Sequence, residues 1–274
     1  AFELLHARRD FCAARTRLSD VIDARVRCLL LNCGELAAEN VELVLRARGE
    51  LPVQDVDAGG VPCRWIAAPG ACVDRAIVYF HGGGFQVGSL DSHAELMARL
   101  SAETGVRVLG VHYRLAPEHR YPAALQDALA VLSWLRQEGF ARDRIALAGD
   151  SAGGGLALST LLALAGRGCQ QPAAAFLMSA WTDLTASGSS YESRAAADPI
   201  HQRPMIQGMA RNYLGGVAQA TDPLASPLFA DPRLLCKLPP LLLQVGDRET
   251  VLSDSEDFAR KVREAGGRAE CQAW

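Results

Sequence analysis

From residue 51 onward, short apolar runs alternate with longer stretches of helical period. Apolar runs at 75–80, 106–111, 145–148, 173–179 and 241–245 are four to seven residues long, the pattern of strands buried on both faces. Between them, 93–103 and 122–138 carry apolar residues at helical spacing, with Leu125, Leu129, Leu132 and Leu135 on one side of the second. Asp91 and Ser92 are candidate caps for the first helix, Gly105 ends it, and Pro122 is expected as the first residue of the second. Ser253-x-x-Glu256 reads as a capping box opening a helix over 254–265, which Gly266 and Gly267 terminate. Earlier, 52–56 and 61–67 flank Asp57-Ala-Gly-Gly60, a hairpin signal. The alternation predicts an α/β fold with a mostly parallel central sheet, flanking helices and right-handed crossovers. Ligands then bind beyond the carboxyl ends of the strands.

Two segments break the alternation. Residues 1–48 mix charge with apolar residues at helical spacing, such as Val21, Leu29 and Leu36, and predict two or three amphipathic helices whose arginines form a solvated face. The stretch 181–235 is polar, with prolines at 199, 204, 223, 227 and 232. It is too long for an ordinary connection in a compact domain, so it reads as a functional insertion with a short helix over 204–214. The expected organisation is an N-terminal helical segment, 1–48, and one α/β domain, 49–274, interrupted at 181–235.

Composition narrows the classes. With 274 residues, 49% of them hydrophobic, the chain can bury one large core. A net charge of −3 provides no basic field for nucleic acid, and no apolar run approaches the roughly 18 residues that span a bilayer. The eight cysteines form no C-x-x-C and no His/Cys cluster with zinc spacing, so no metal is expected. Scattered thiols fit a reducing cytoplasm.

Candidate chemistry sits at two glycine-rich turns. Gly149-Asp-Ser-Ala-Gly153 follows the strand at 145–148 and opens a helix, matching G-x-S-x-G in the strand–turn–helix context that pattern needs. A serine there is exposed on a tight turn, within reach of a base and a carbonyl; the plainer alternative is a helix-capping serine. His81-Gly-Gly-Gly-Phe85 follows the strand at 75–80, where unobstructed amides can face an oxyanion. A nucleotide-phosphate loop is the competing reading. Gly82, Gly84 and Gly88 miss G-x-G-x-x-G by one residue, and no G-K-[ST] follows.

These motifs, with Tyr113-Arg-Leu-Ala-Pro-Glu118, Tyr121-Pro-Ala-Ala124, Asp222-Pro-Leu-Ala-Ser-Pro-Leu228 and Leu238-Pro-Pro-Leu-Leu-Leu-Gln-Val-Gly246, resemble the hormone-sensitive-lipase-like branch of the α/β-hydrolases. The likeness runs from about Leu51 to Trp274. It implies a serine carboxylesterase acting on short- to medium-chain esters, without metal or organic cofactor. Ser151 would be the nucleophile, with Gly83, Gly84 and Ala152 donating N–H groups to the oxyanion. Residues 1–48 and 181–235 would form a cap, and a homodimer is a further expectation because members often dimerise. The acid lies on the loop after 241–245, where Asp247, Glu249 and Asp254 are candidates. Glu249 falls at the family's catalytic position, Asp247 remains an alternative, and Asp254 is expected to stabilise a helix N-terminus.

The family's histidine follows the acid, whereas the histidines here are at 6, 81, 93, 112, 119 and 201. The resemblance implies a base a few residues beyond Trp274, with a last strand and helix cut short. Two functions therefore stand: an esterase, or a small-molecule binding protein on the same scaffold without its base.

Overall fold

The computed structural model describes residues 53–216 and 218–274. The helices expected within 1–48 lie outside the described residues. Eight strands form one sheet in the order β1-β2-β4-β3-β5-β6-β7-β8. The strands are β1 (Val53–Asp57), β2 (Pro62–Ile66), β3 (Cys72–Phe80), β4 (Val106–Val111), β5 (Ile145–Asp150), β6 (Ala174–Met178), β7 (Leu241–Val245) and β8 (Ala269–Ala273). The hairpin β1–β2 pairs antiparallel, as does β2 with β4; β4 through β8 are joined by parallel pairs. The sheet is therefore mostly parallel, as the strand–helix alternation predicts.

Strand alternation divides the core into two layers. Ala76, Val78 and Phe80 of β3 face one layer, while Ile77 and Tyr79 face the other. The larger layer holds α2 (Ala123–Gln137), α3 (Ala152–Gly166) and α7 (Leu252–Glu264); the smaller is covered by α1 (Ala94–Thr104). Helix α3 is buried along its whole length up to Ala165. Its sequence accordingly lacks a polar stripe, because no face meets water.

Helix α1 ends on Gly105 in the left-handed conformation, with the glycine N–H bonded to Ser101 O, as its sequence implies. The N-terminal signals are less faithful. Helix α1 is preceded by His93 without a side-chain cap, and Ser92 turns back to Ser89. Pro122 stands one residue before α2 rather than inside it. The expected capping box is absent too: α7 begins at Leu252, so Ser253 lies within the helix and bonds to Ser190.

The segment between β6 and β7 carries α4 (Ser190–Ser193), α5 (Arg203–Leu214) and α6 (Pro232–Leu235). Among the described residues, no helix is long and apolar enough to cross a membrane.

Candidate active site

Ser151 joins β5 to α3 with φ 49° and ψ −118°, a region where side-chain-bearing residues are strained. Three hydrogen bonds hold it there. Its N–H donates to Met178 O at 2.9 Å, and its carbonyl accepts from Trp181 N and Gly155 N at 2.9 and 3.0 Å. The glycines after it allow close approach. A methyl on Gly153 would strike the Phe80 carbonyl, and one on Gly155 would strike that of Trp181. The start of α3 is thus pressed against the ends of its neighbours, which leaves the serine at the carboxyl edge of the sheet.

The glycine loop after β3 is tied to this turn by Asp150, the residue before Ser151. Asp150 Oδ1 accepts from Gly82 N at 2.9 Å and from the Tyr79 hydroxyl at 2.5 Å, while Oδ2 stands 3.4 Å from His93 Nε2. His81 is fully buried; its Nδ1 lies 2.7 Å from Gly82 O and its ring stacks on Tyr113 at 4.5 Å. Tyr113 in turn donates to His81 O at 2.6 Å. With Gly82 N–H committed to Asp150, those of Gly83 and Gly84 have no acceptor among the described residues. Ala152, the first residue of α3, contributes an N–H that no intrahelical carbonyl can reach. The three amides expected from the sequence therefore belong to two turns held together by one carboxylate.

Helix α5 lies over the loop. Met209 packs where a Gly84 side chain would stand, Tyr213 stacks on Phe85 at 3.8 Å, and Asn212 Nδ2 donates to Gln86 Oε1 at 2.8 Å.

The Asp150–His93 contact has a pH signature. His93 is held above the ordinary imidazole range, chiefly by its hydrogen bond to Asp150. Burial pushes the Asp150 carboxyl upward, but the bonds from His93, Tyr79 and Gly82 outweigh it and hold the group below its ordinary value. The imidazolium's contribution to stability is complete below about pH 6.5 and is lost as pH rises through the raised folded value. The carboxylate's contribution is complete above about pH 3.9 and is lost as pH falls through its lowered folded value. The melting-temperature gap between wild type and His93→Gln should be widest near pH 5 and narrow toward about pH 9. A gap that ignores pH would show that the pair carries no charge.

On the loop after β7, Glu249 Oε1 accepts from Gly246 N at 2.7 Å and from Ser179 Oγ at 2.8 Å. Ser179 directly follows β6 with φ 47°, and its N–H donates to Gln244 O at 2.6 Å. Because Ser151 N bonds to Met178 O, the Glu249 carboxylate is separated from the serine turn by the Met178–Ser179 step alone. The other two candidate acids stand elsewhere. Asp247 is exposed and paired with Arg194 at 3.0 Å. Asp254 is buried, with Oδ2 accepting from Thr182 N and Asp183 N at 2.8 and 2.9 Å. Asp254 does lie in the first turn of α7, as expected, but burial and the Asp183 carboxylate push it up to about 8, and its carboxyl also ties the helix start to the segment after β6.

Gly83 and Gly84 thus follow β3, Ser151 and Ala152 follow β5, and Glu249 follows β7, all at the carboxyl edge of the sheet, with β6 and its Ser179 between the last two. Of the described histidines, His81 and His93 support the glycine loop, and His201 Nδ1 is 3.7 Å from Asp198. None bonds to Ser151 or Glu249 among the described residues. Sequence reasoning missed Asp150, Ser179 and Met209. Asp150 had a signal, as the variable residue of G-x-S-x-G; a serine after a strand and a methionine in a polar helix had none.

Residues 77–274 match a family described as alpha/beta hydrolase fold. The chain is 38% identical to an acetyl-hydrolase of Streptomyces hygroscopicus over 226 residues, covering 82% of this chain and 74% of that one. It is 37% identical to an esterase of Acinetobacter venetianus, covering 71% of this chain and 63% of that one. Among solved structures, an esterase from the bacterial hormone-sensitive lipase family superposes with a TM-score of 0.80 at 42% identity, covering 82% of this chain and 74% of that one. The matched family, the shared sheet and the glycine turns at its carboxyl edge agree, and the chain belongs to the α/β-hydrolases, in their hormone-sensitive-lipase-like branch.

Proposed function

We infer that the protein is a carboxylesterase that hydrolyses short- to medium-chain esters through an acyl-enzyme. The observation that carries this reading is the Asp150 link, which joins the strained Ser151 turn to the loop bearing the Gly83 and Gly84 amides. Ser151 Oγ attacks the ester carbonyl, and the histidine that the family resemblance implies after the acid, oriented by Glu249, takes its proton. The tetrahedral oxyanion accepts hydrogen bonds from Gly83, Gly84 and Ala152 N–H, donors already fixed in place before charge develops. Collapse expels the alcohol, protonated by the same base, and water then releases the acid by the reverse steps. Compared proteins named acetyl-hydrolase, esterase and ethyl acetate hydrolase support an enzyme, and nothing favours the binding-protein alternative.

The packing of α5 on the glycine loop supports a cap role for 181–235. Among the described residues Cys63, Cys169, Cys236 and Cys271 stand as thiols outside any disulfide, which supports a reducing, cytoplasmic location. A homodimer is carried by the family resemblance alone. The test of substrate class is a series of p-nitrophenyl esters. kcat/KM should peak at acetate to hexanoate, and a maximum at long acyl chains would contradict the proposal.

A further inference from the structure

Glu249 is held by its own two hydrogen bonds, yet the backbone on either side of it is held by a different part of the chain. Thr250, its neighbour, is fully buried. Asp198 Oδ2 accepts from Thr250 N at 2.8 Å and from Thr250 Oγ1 at 3.0 Å. Ser190 Oγ donates to Thr250 O at 2.5 Å and accepts from Ser253 N at 2.9 Å. On the other side, Arg194 Nε donates to Asp247 O at 2.6 Å while its guanidinium pairs with the Asp247 carboxylate. One short stretch, 190–198, therefore grips the acid loop before and after Glu249.

Asp198 is the centre of this grip. It is 6% exposed, and its Oδ1 accepts from Ile200 N and His201 N at 2.8 and 2.9 Å. Four donors converge on a carboxylate that would otherwise be costly to bury. Apolar packing would fill the same volume, but hydrogen bonds from a residue's backbone N–H and its own hydroxyl to one carboxylate also fix its position and orientation. A shift at Thr250 is transmitted through one peptide to Glu249, whose Oε1 must stay within reach of both Gly246 N and Ser179 Oγ.

We propose that Asp198 is a positioning residue for the reaction, acting through Thr250 to hold Glu249 in its working place; this rests on the esterase reading. Asp198→Asn retains one acceptor oxygen and turns an N–H toward donors. It should lower kcat about tenfold or more with KM changed less than about twofold, since a displacement near 1 Å costs on the order of 10²-fold. Thr250→Val removes only the hydroxyl and should lower kcat about threefold or more, whereas Thr250→Ser keeps the bond and should stay near wild type. The threonine pair decides the matter if Asp198→Asn does not fold. Wild-type kcat in Thr250→Val, equal loss in Thr250→Ser and Thr250→Val, or a change in KM alone would overturn the proposal. Ser151→Ala, assayed alongside, separates the two ideas. If the wild type hydrolyses no ester the esterase reading fails, and if Ser151→Ala stays active the nucleophile lies at another residue; if Ser151→Ala is silent while Asp198→Asn and Thr250→Val turn over normally, only the positioning role fails.

Discussion

Ser151→Ala loses hydrolysis of p-nitrophenyl butyrate by about 10⁴-fold or more, the scale seen when a serine nucleophile is removed. Its melting temperature stays close to that of wild type. The serine turn is held by backbone bonds to Met178, Trp181 and Gly155, none of which involves the hydroxyl. Alanine at φ 49° is strained about as much as serine, so the substitution deletes a reacting atom and little else. A fluorophosphonate gives one adduct on the wild-type chain and none on the variant, read by intact mass. An adduct that persists in Ser151→Ala, or turnover near the wild-type rate, would place the nucleophile at another residue.

Gly83→Ala is expected to lower kcat by about 10²–10³-fold, the typical loss when one oxyanion donor is displaced. Gly83 adopts φ 119°, and an added methyl would collide with the Val87 carbonyl, a backbone atom that cannot swing away. The loop must move, carrying the Gly83 and Gly84 amides off their line. Gly139→Ala is the matched control. Gly139 also has positive φ, at 89°, but an added methyl there meets nothing within 4 Å. That variant pays only backbone strain, about 1–2 kcal/mol of stability, and keeps its kcat. Equal kcat in the two variants would mean that the amides at 83 and 84 take no part in the reaction.

Elements set by local chemistry were legible before any coordinates. The apolar run 241–245 is β7, and the glycine at 105 ends α1 because only a residue without a side chain adopts that turn easily. The two glycine turns were legible for the same reason, since close backbone approach leaves glycine in fixed spacing. What was not legible depends on partners far along the chain. Ser253 resembles a cap in its own window, but its hydroxyl meets Ser190, 63 residues away. Asp254 stands in the first turn of its helix, as its window suggests, but its burial and its bonds from Thr182 and Asp183 could not be read there. Ser179 and Asp198 carry no local pattern, because their role is to join the ends of separate strands and loops. Glu249 was already at the family's acid position in the sequence; what only the structure supplies is its setting, with its carboxylate against Ser179 while that of Asp247 is at the surface with Arg194.

The pressed start of α3 also shapes how this protein can change. Positions 153 and 155 abut carbonyl oxygens, so any side chain added there meets rigid main chain whatever the substrate. The contact at Gly84 is different in kind, because a side chain added there would meet the thioether of Met209, an adaptable side chain on α5. Change beside the glycine loop is therefore more easily absorbed at Met209 than at the turn beneath it.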